Sequence, residues 1–276
     1  MITAELTAER CFDGWQKRFR HSSVILNAEV CFSIYLPPQA KLHPVPVLYW
    51  LCDSGEDDRA LFATYTAQQH AAKLGVALVG VAPGSVPRLV ALSAQLGLMQ
   101  PQLCYVNATQ NPWAKHFRLF DYLQYELPQL IETHFPVNDR RSVGGFGVGA
   151  HGALVLGLSN PQRYCAVSGF DPIFKPAQYP ALCDLLSVLL GDNSSSWQQY
   201  DVTELLNLSL SQLPILLYQS GSSYGDIAAR EQQQCRRVAE VKGYPFELIR
   251  MPGYAPGTGF TASFIARQLK FHSLYL

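Results

Sequence analysis

Charge is scarce in this chain, and none of it is left over. Only 15% of the 276 residues are Asp, Glu, Lys or Arg, and 21 basic residues balance 21 acidic ones. A neutral chain has no pull toward DNA or RNA phosphates or an anionic lipid surface, so neither nucleic acid nor membrane is an expected partner. Long apolar runs are missing too. No stretch approaches the ~20 residues of a transmembrane helix. The start, MITAELTAERCFDGWQKRFRH, lacks the apolar segment of a secretory signal, which points to the cytoplasm. Paired cysteines are absent: the seven (Cys11, Cys31, Cys52, Cys104, Cys165, Cys183, Cys235) are scattered and never form CxxC. That argues against a disulfide framework or a zinc site and for free thiols. With no His-Asp cluster at metal-ligand spacing either, no metal or other cofactor is expected. Repeats and low-complexity segments are not seen.

What the sequence does have is a 48% hydrophobic content arranged in alternation. After residue 40, short apolar runs alternate with amphipathic stretches, the pattern of βα units around a parallel sheet in one α/β domain spanning 1–276. Glu29–Leu36 alternates as an antiparallel strand does. Pro44–Leu51 and Val76–Val81 are near-continuous apolar runs, as expected of strands buried on both faces. Asp58–Leu74 has helical spacing and stops at Gly75. Phe117–Phe135 predicts a long helix with Pro128 inside it, a place for a kink. Arg141–Gly145 predicts a short strand, and Ala150–Leu158 the helix after it. Tyr164–Phe170, Leu213–Gln219 and Phe246–Met251 predict further buried strands; Tyr179–Leu190, Asp226–Lys242 and Ala262–Leu274 predict helices.

Between that short strand and its helix lies Gly145-Phe146-Gly147-Val148-Gly149. A glycine-rich strand-to-helix turn can cradle a phosphate, but the spacing matches neither a dinucleotide fingerprint nor a P-loop. It does match the nucleophile elbow G-x-S-x-G of α/β-hydrolases, with glycine where the serine belongs.

The surrounding residues narrow this. Gly144–Ala153 (GGFGVGAHGA) resembles the elbow of the S-formylglutathione hydrolase (esterase D) family, where Gly-His-Ser-Met-Gly-Gly-His-Gly-Ala is typical. RCFDGWQKRFRHSS, FSIYLPPQA, VLYWL, YVNATQNPWAKHFRLFDY, ETHFPV and RQLKFHSLYL resemble the same family, so the likeness spans nearly the whole chain. It implies an α/β-hydrolase fold, with a mostly parallel central sheet and helices on both faces. It further implies a cytoplasmic protein, often dimeric, related to enzymes that cleave the thioester S-formylglutathione in formaldehyde detoxification.

The departures from the family pattern fall on the chemistry. The family serine matches Gly147, its aspartate matches Ser223, and its histidine matches Pro256. Nucleophile, orienting acid and base are thus all replaced. The histidine and methionine flanking the serine are Phe146 and Val148. The loop that lends the family an oxyanion-hole N–H reads Cys52-Asp53-Ser54-Gly55-Glu56-Asp57-Asp58, so the hole region comprises Asp53, Ser54 and Val148. Its carboxylates oppose developing negative charge, unless they are solvated or cap the next helix, with Asp57 or Asp58 as N-cap.

Cys52, Phe146, His116 and Trp113 are the candidate pocket lining. Of the histidines after Gly147, His151 and His272 read as structural. The reading that follows is a non-hydrolysing homologue that binds a small thiol-ester or glutathione-like molecule, or that forms a homodimer or pairs with an active relative. The competing reading is an ester or thioester hydrolase using Cys52 or Ser54 as relocated nucleophile, although no base is evident for either.

Overall fold

The computed structural model describes residues 2–53, 55–64, 66–82, 94, 105–221 and 225–276. Ser54 and Ser223 therefore lie outside the described residues. Nine strands form one sheet in the order β1-β2-β3-β5-β4-β6-β7-β8-β9. The first three, β1 (Ile2–Cys11), β2 (Gly14–Ser23) and β3 (Ala28–Leu36), make an antiparallel meander, and β3 joins β5 antiparallel. From there the sheet is parallel: β5 (Ala77–Val81), β4 (Val45–Leu51), β6 (Val137–Gly145), β7 (Val167–Phe170), β8 (Ile215–Ser220) and β9 (Phe246–Met251).

Burial on both faces explains the continuous apolar runs. β5 is buried at every position, and β4 at all but Pro46. One face carries helices α1 (Thr66–Leu74) and α7 (Thr258–Ser273), packed on each other over Leu48, Trp50, Phe170 and Tyr218 of the sheet. The other carries α2 (Leu127–His134), α3 (Val148–Ser159), α4 (Pro180–Leu190), α5 (Val202–Leu208) and α6 (Gly225–Val241) over the larger core. This is the expected α/β-hydrolase arrangement. Every side chain of α3 except Ser159 is buried, so the helix after the glycine turn runs through the middle of the molecule.

Several local expectations shift. The helix expected over Asp58–Leu74 is a 3₁₀ turn, Ala60–Phe62, followed by α1 from Thr66. Asp58 is not a helix cap. It is fully buried, holding Arg18 through Nε and Nη2 at 2.9 and 2.8 Å and accepting the Ser33 hydroxyl at 2.7 Å. Asp57 instead pairs with Arg59 on the surface. The long helix at 117–135 contains a π-turn, Tyr122–Glu126, immediately before α2, whose first turn takes Pro128. Glu126 in that turn accepts Ser23 Oγ and the N–H groups of Val24 and Ile25, fastening the β2–β3 turn. The strands β1 and β2 and the helix α5 carried no expectation. The six described cysteines are unbridged.

Candidate functional site

The turn that should carry chemistry is formed as an elbow. After β6, Phe146 makes a bridge to Phe170, and the Gly147 N–H donates to the Phe170 carbonyl at 2.9 Å. Gly147 itself has φ 55° and ψ −117°, a setting that glycine adopts freely and other residues resist. Close approach of β4 fixes its neighbour: a Cβ on Gly149 would lie 2.0 Å from the Leu51 carbonyl oxygen. The backbone that presents a nucleophile is therefore intact around a residue with no side chain.

That space is not empty. A Cβ built on Gly147 would meet Asp53 Oδ1, Cγ and Oδ2 at 2.5, 2.6 and 2.7 Å. The Asp53 carboxylate sits where a serine side chain would begin, and its Oδ1 accepts the Val148 N–H at 2.9 Å. In the nucleophile elbow, the N–H of the residue after the nucleophile is an oxyanion donor. Here a fixed negative group already takes it. The Asp53 N–H is occupied in turn, donating to Glu56 Oε2 at 2.9 Å, while the Glu56 N–H returns to the Asp53 carbonyl. Burial pushes the Glu56 carboxyl above its ordinary range, and the charge of Asp53 adds to the rise.

The four candidate lining residues are all buried or half-buried. Phe146 is buried among Trp50, Phe170 and the α7 side chains, beside a cavity of about 20 Å³, no more than one water. Cys52 is fully buried; burial, followed by the charges of Glu56, Asp58 and Asp57, raises its thiol well above the usual range, so it holds no reactive thiolate. Its carbonyl accepts the Tyr105 hydroxyl at 2.7 Å. Trp113 is buried in the larger core. His116 is half-buried at the end of the 3₁₀ turn Trp113–Lys115. Pro256 is exposed in the segment between β9 and α7, which is tied to the end of β8 by the bond from Gly221 N–H to the Tyr254 carbonyl.

The two later histidines act as struts. His151 Nε2 lies 2.8 Å from the Tyr200 carbonyl, and burial lowers its pKa to about 4. His272 Nε2 lies 2.8 Å from Ser168 Oγ, which donates to Gln268 Oε1, and burial lowers its pKa to about 3. The distinctive Asn107 motif is also a tie. Asn107 exchanges bonds with Asp121, and its N–H reaches the Tyr200 hydroxyl.

Asp171 is a site residue that no sequence pattern announces. It is fully buried at φ 46°, one residue past the Phe170 that holds Gly147, and its Oδ1 accepts Gln219 Nε2 and the Ser220 N–H, each at 2.7 Å. A lone Asp after a short strand gives no pattern to find. Among the described residues, no group of three or more His, Cys, Asp or Glu could hold a metal ion, and no helix is long and apolar enough to cross a membrane.

Sheet order, elbow and helix layers define an α/β-hydrolase. The Esterase family model matches residues 23–244, and the chain belongs to that family. Its fold is similar to that of an S-formylglutathione hydrolase from Agrobacterium tumefaciens, with a TM-score of 0.86 and 25% identity over 99% of this chain and 100% of that one. An S-formylglutathione hydrolase from Staphylococcus aureus superposes at 0.71, with 12% identity over 93% and 97% of the two chains. A ferulic acid esterase from Anaeromyces mucronatus superposes at 0.60, with 13% identity over 99% and 92%.

Proposed function

We propose that this chain is a non-hydrolysing member of the S-formylglutathione hydrolase branch of the esterases. It keeps the scaffold and has given up the reaction. The observation that carries the reading is the Asp53 carboxylate seated on Gly147 and bonded to the Val148 N–H. An oxyanion hole accelerates acyl transfer by meeting new negative charge with idle donors. A hole that already holds a carboxylate repels that charge instead. Gly147 offers no nucleophile, and Pro256, matched to the family base, offers no proton acceptor.

The competing nucleophile Cys52 is supported less, because its thiol is buried and held protonated. Asp53 stands at the serine's place, but a carboxylate nucleophile also needs a base to direct water at the acyl intermediate. In this reading the protein works by binding, either to a small molecule of the thiol-ester or glutathione type or to a partner. The partner is a second copy or an active relative, and the setting is cytoplasmic. Exposure of purified protein to a fluorophosphonate, followed by intact-mass measurement, tests the vacancy. No adduct is expected. A stoichiometric adduct mapped to any serine of the chain would overturn the reading.

A further inference from the structure

Glu231 of α6 is a carboxylic acid with 1% of its surface exposed. The segment between β7 and α4 passes over it and supplies its partners. Oε2 accepts the Phe174 N–H at 3.3 Å and the Tyr179 hydroxyl at 3.0 Å, Tyr179 being the residue that starts α4. Oε1 is buried and has no hydrogen-bond partner among the described residues.

Among the described residues no cation is paired with this carboxyl either. Lys175, in the covering segment, is bound to Asp201 at the start of α5, at 3.3 Å. The charge of Asp201 opposes ionisation of Glu231. On β9, Glu247 is exposed and Arg250 is bound to Gln232 Oε1. One turn along α6, Cys235 is engaged with the Thr203 hydroxyl. A buried carboxyl with one bare oxygen and no counter-cation is far more costly ionised than neutral, because the charged form loses its water without replacement. Water can reach Oε1 only if the covering segment lifts. That segment lies at the surface: Phe174 and Pro176 are buried beneath it, whereas Ala177, Gln178 and Pro180 are exposed.

We infer that Glu231 is a proton-operated latch. Neutral, it lets segment 174–179 close over α6; ionised, it drives that segment open and frees the start of α4. In the closed state burial, with the charge of Asp201 adding to it, raises the carboxyl from its ordinary 4.5 to about 7. Opening returns it to solvent and to its ordinary value. The closed state is therefore fully favoured below pH 4.5, and the opening constant rises about tenfold per pH unit from there to about 7, then levels. The latch uses no residue of the elbow, so it stands or falls apart from the loss of hydrolysis.

The test is native-state hydrogen exchange of the full chain from about pH 5 to 7, read by mass on peptides and corrected for the intrinsic pH dependence of exchange. Peptides covering 172–179 are expected to lose protection about tenfold per pH unit, while those covering β4 and β6 stay level. Glu231→Gln keeps an acceptor for Phe174 and Tyr179 but does not ionise, so it is expected to abolish the slope. A level wild-type response at 172–179, or an equal slope in β4 and β6, would overturn the latch, and both results are independent of how well the variant folds. A wild-type slope in folded Glu231→Gln would overturn it too.

Discussion

Placing a methyl group on Gly147 should cost this protein far more than a surface glycine change, and the cost should depend on Asp53. Two terms add. The φ 55°, ψ −117° backbone is strained for alanine, by on the order of 1–3 kcal/mol. The new Cβ also meets the Asp53 carboxylate at 2.5–2.7 Å, so that side chain must leave the Val148 N–H. Losing a hydrogen bond to a charged group costs about 1.5–3 kcal/mol. Gly147→Ala is therefore expected to destabilise by about 3–5 kcal/mol.

In an Asp53→Ala background the obstacle is gone, and only the backbone term, about 1–3 kcal/mol, remains. Urea unfolding of wild type, both single variants and the double variant gives the coupling directly. The expected coupling is about 2 kcal/mol, with the double variant more stable than the sum of the single costs implies. Equal costs for Gly147→Ala in the two backgrounds, within about 0.5 kcal/mol, would refute the seating of Asp53 on Gly147.

Three further outcomes are expected. Restoring the family side chains by Gly147→Ser, Ser223→Asp and Pro256→His should leave the protein silent, because the Asp53 carboxylate displaced by the new Cβ stays beside the oxyanion hole and repels developing negative charge. Adding Asp53→Gly should bring weak esterase activity, since one hole donor is worth ~10²–10³ in rate; equal activity of the triple and quadruple variants would contradict this. Burial raises the Glu231 carboxyl to about 7. Its contribution to stability is present below its ordinary pKa and lost as pH rises through 7. Glu231→Gln should therefore soften the fall in Tm between about pH 4.5 and 7, and an unchanged slope would count against it. Burial lowers His272 to about 3, so its contribution is present above its ordinary pKa near 6.5 and lost as pH falls toward 3. His272→Gln, which can still bond Ser168 but does not titrate, should flatten the acid limb of stability against pH.

The parallel half of the fold was legible because burial on both faces writes itself as unbroken apolar runs, as in β4 and β5. The hairpin β1–β2 was not. β1 is an edge strand whose apolar alternation (Ile2, Ala4, Leu6) is short, rests partly on alanine and reaches only half-burial before fading after Leu6, a weak signal. The elbow could be read from its glycines, whose absent side chains answer to backbone approach within a short segment. What fills it could not. Asp53 and Val148 are 95 residues apart, and acidity in the 53–58 loop reads the same whether a carboxylate is solvated, caps a helix or turns inward. In the structure the four do different things: Asp53 turns onto the elbow, Glu56 holds the Asp53 N–H, Asp57 pairs with Arg59, and Asp58 is buried on Arg18. Packing decides among these, and it is set by residues remote in sequence.

The most direct measurement is turnover itself. Purified wild-type chain is given S-formylglutathione and p-nitrophenyl acetate over a wide concentration range, with heat-denatured chain as the blank and the Asp53→Ala variant alongside. With Gly147 lacking a nucleophile and a carboxylate in the oxyanion hole, wild type and variant should both match the blank at every concentration. Saturable turnover by the wild type, lost on heating and proportional to protein, would contradict the account.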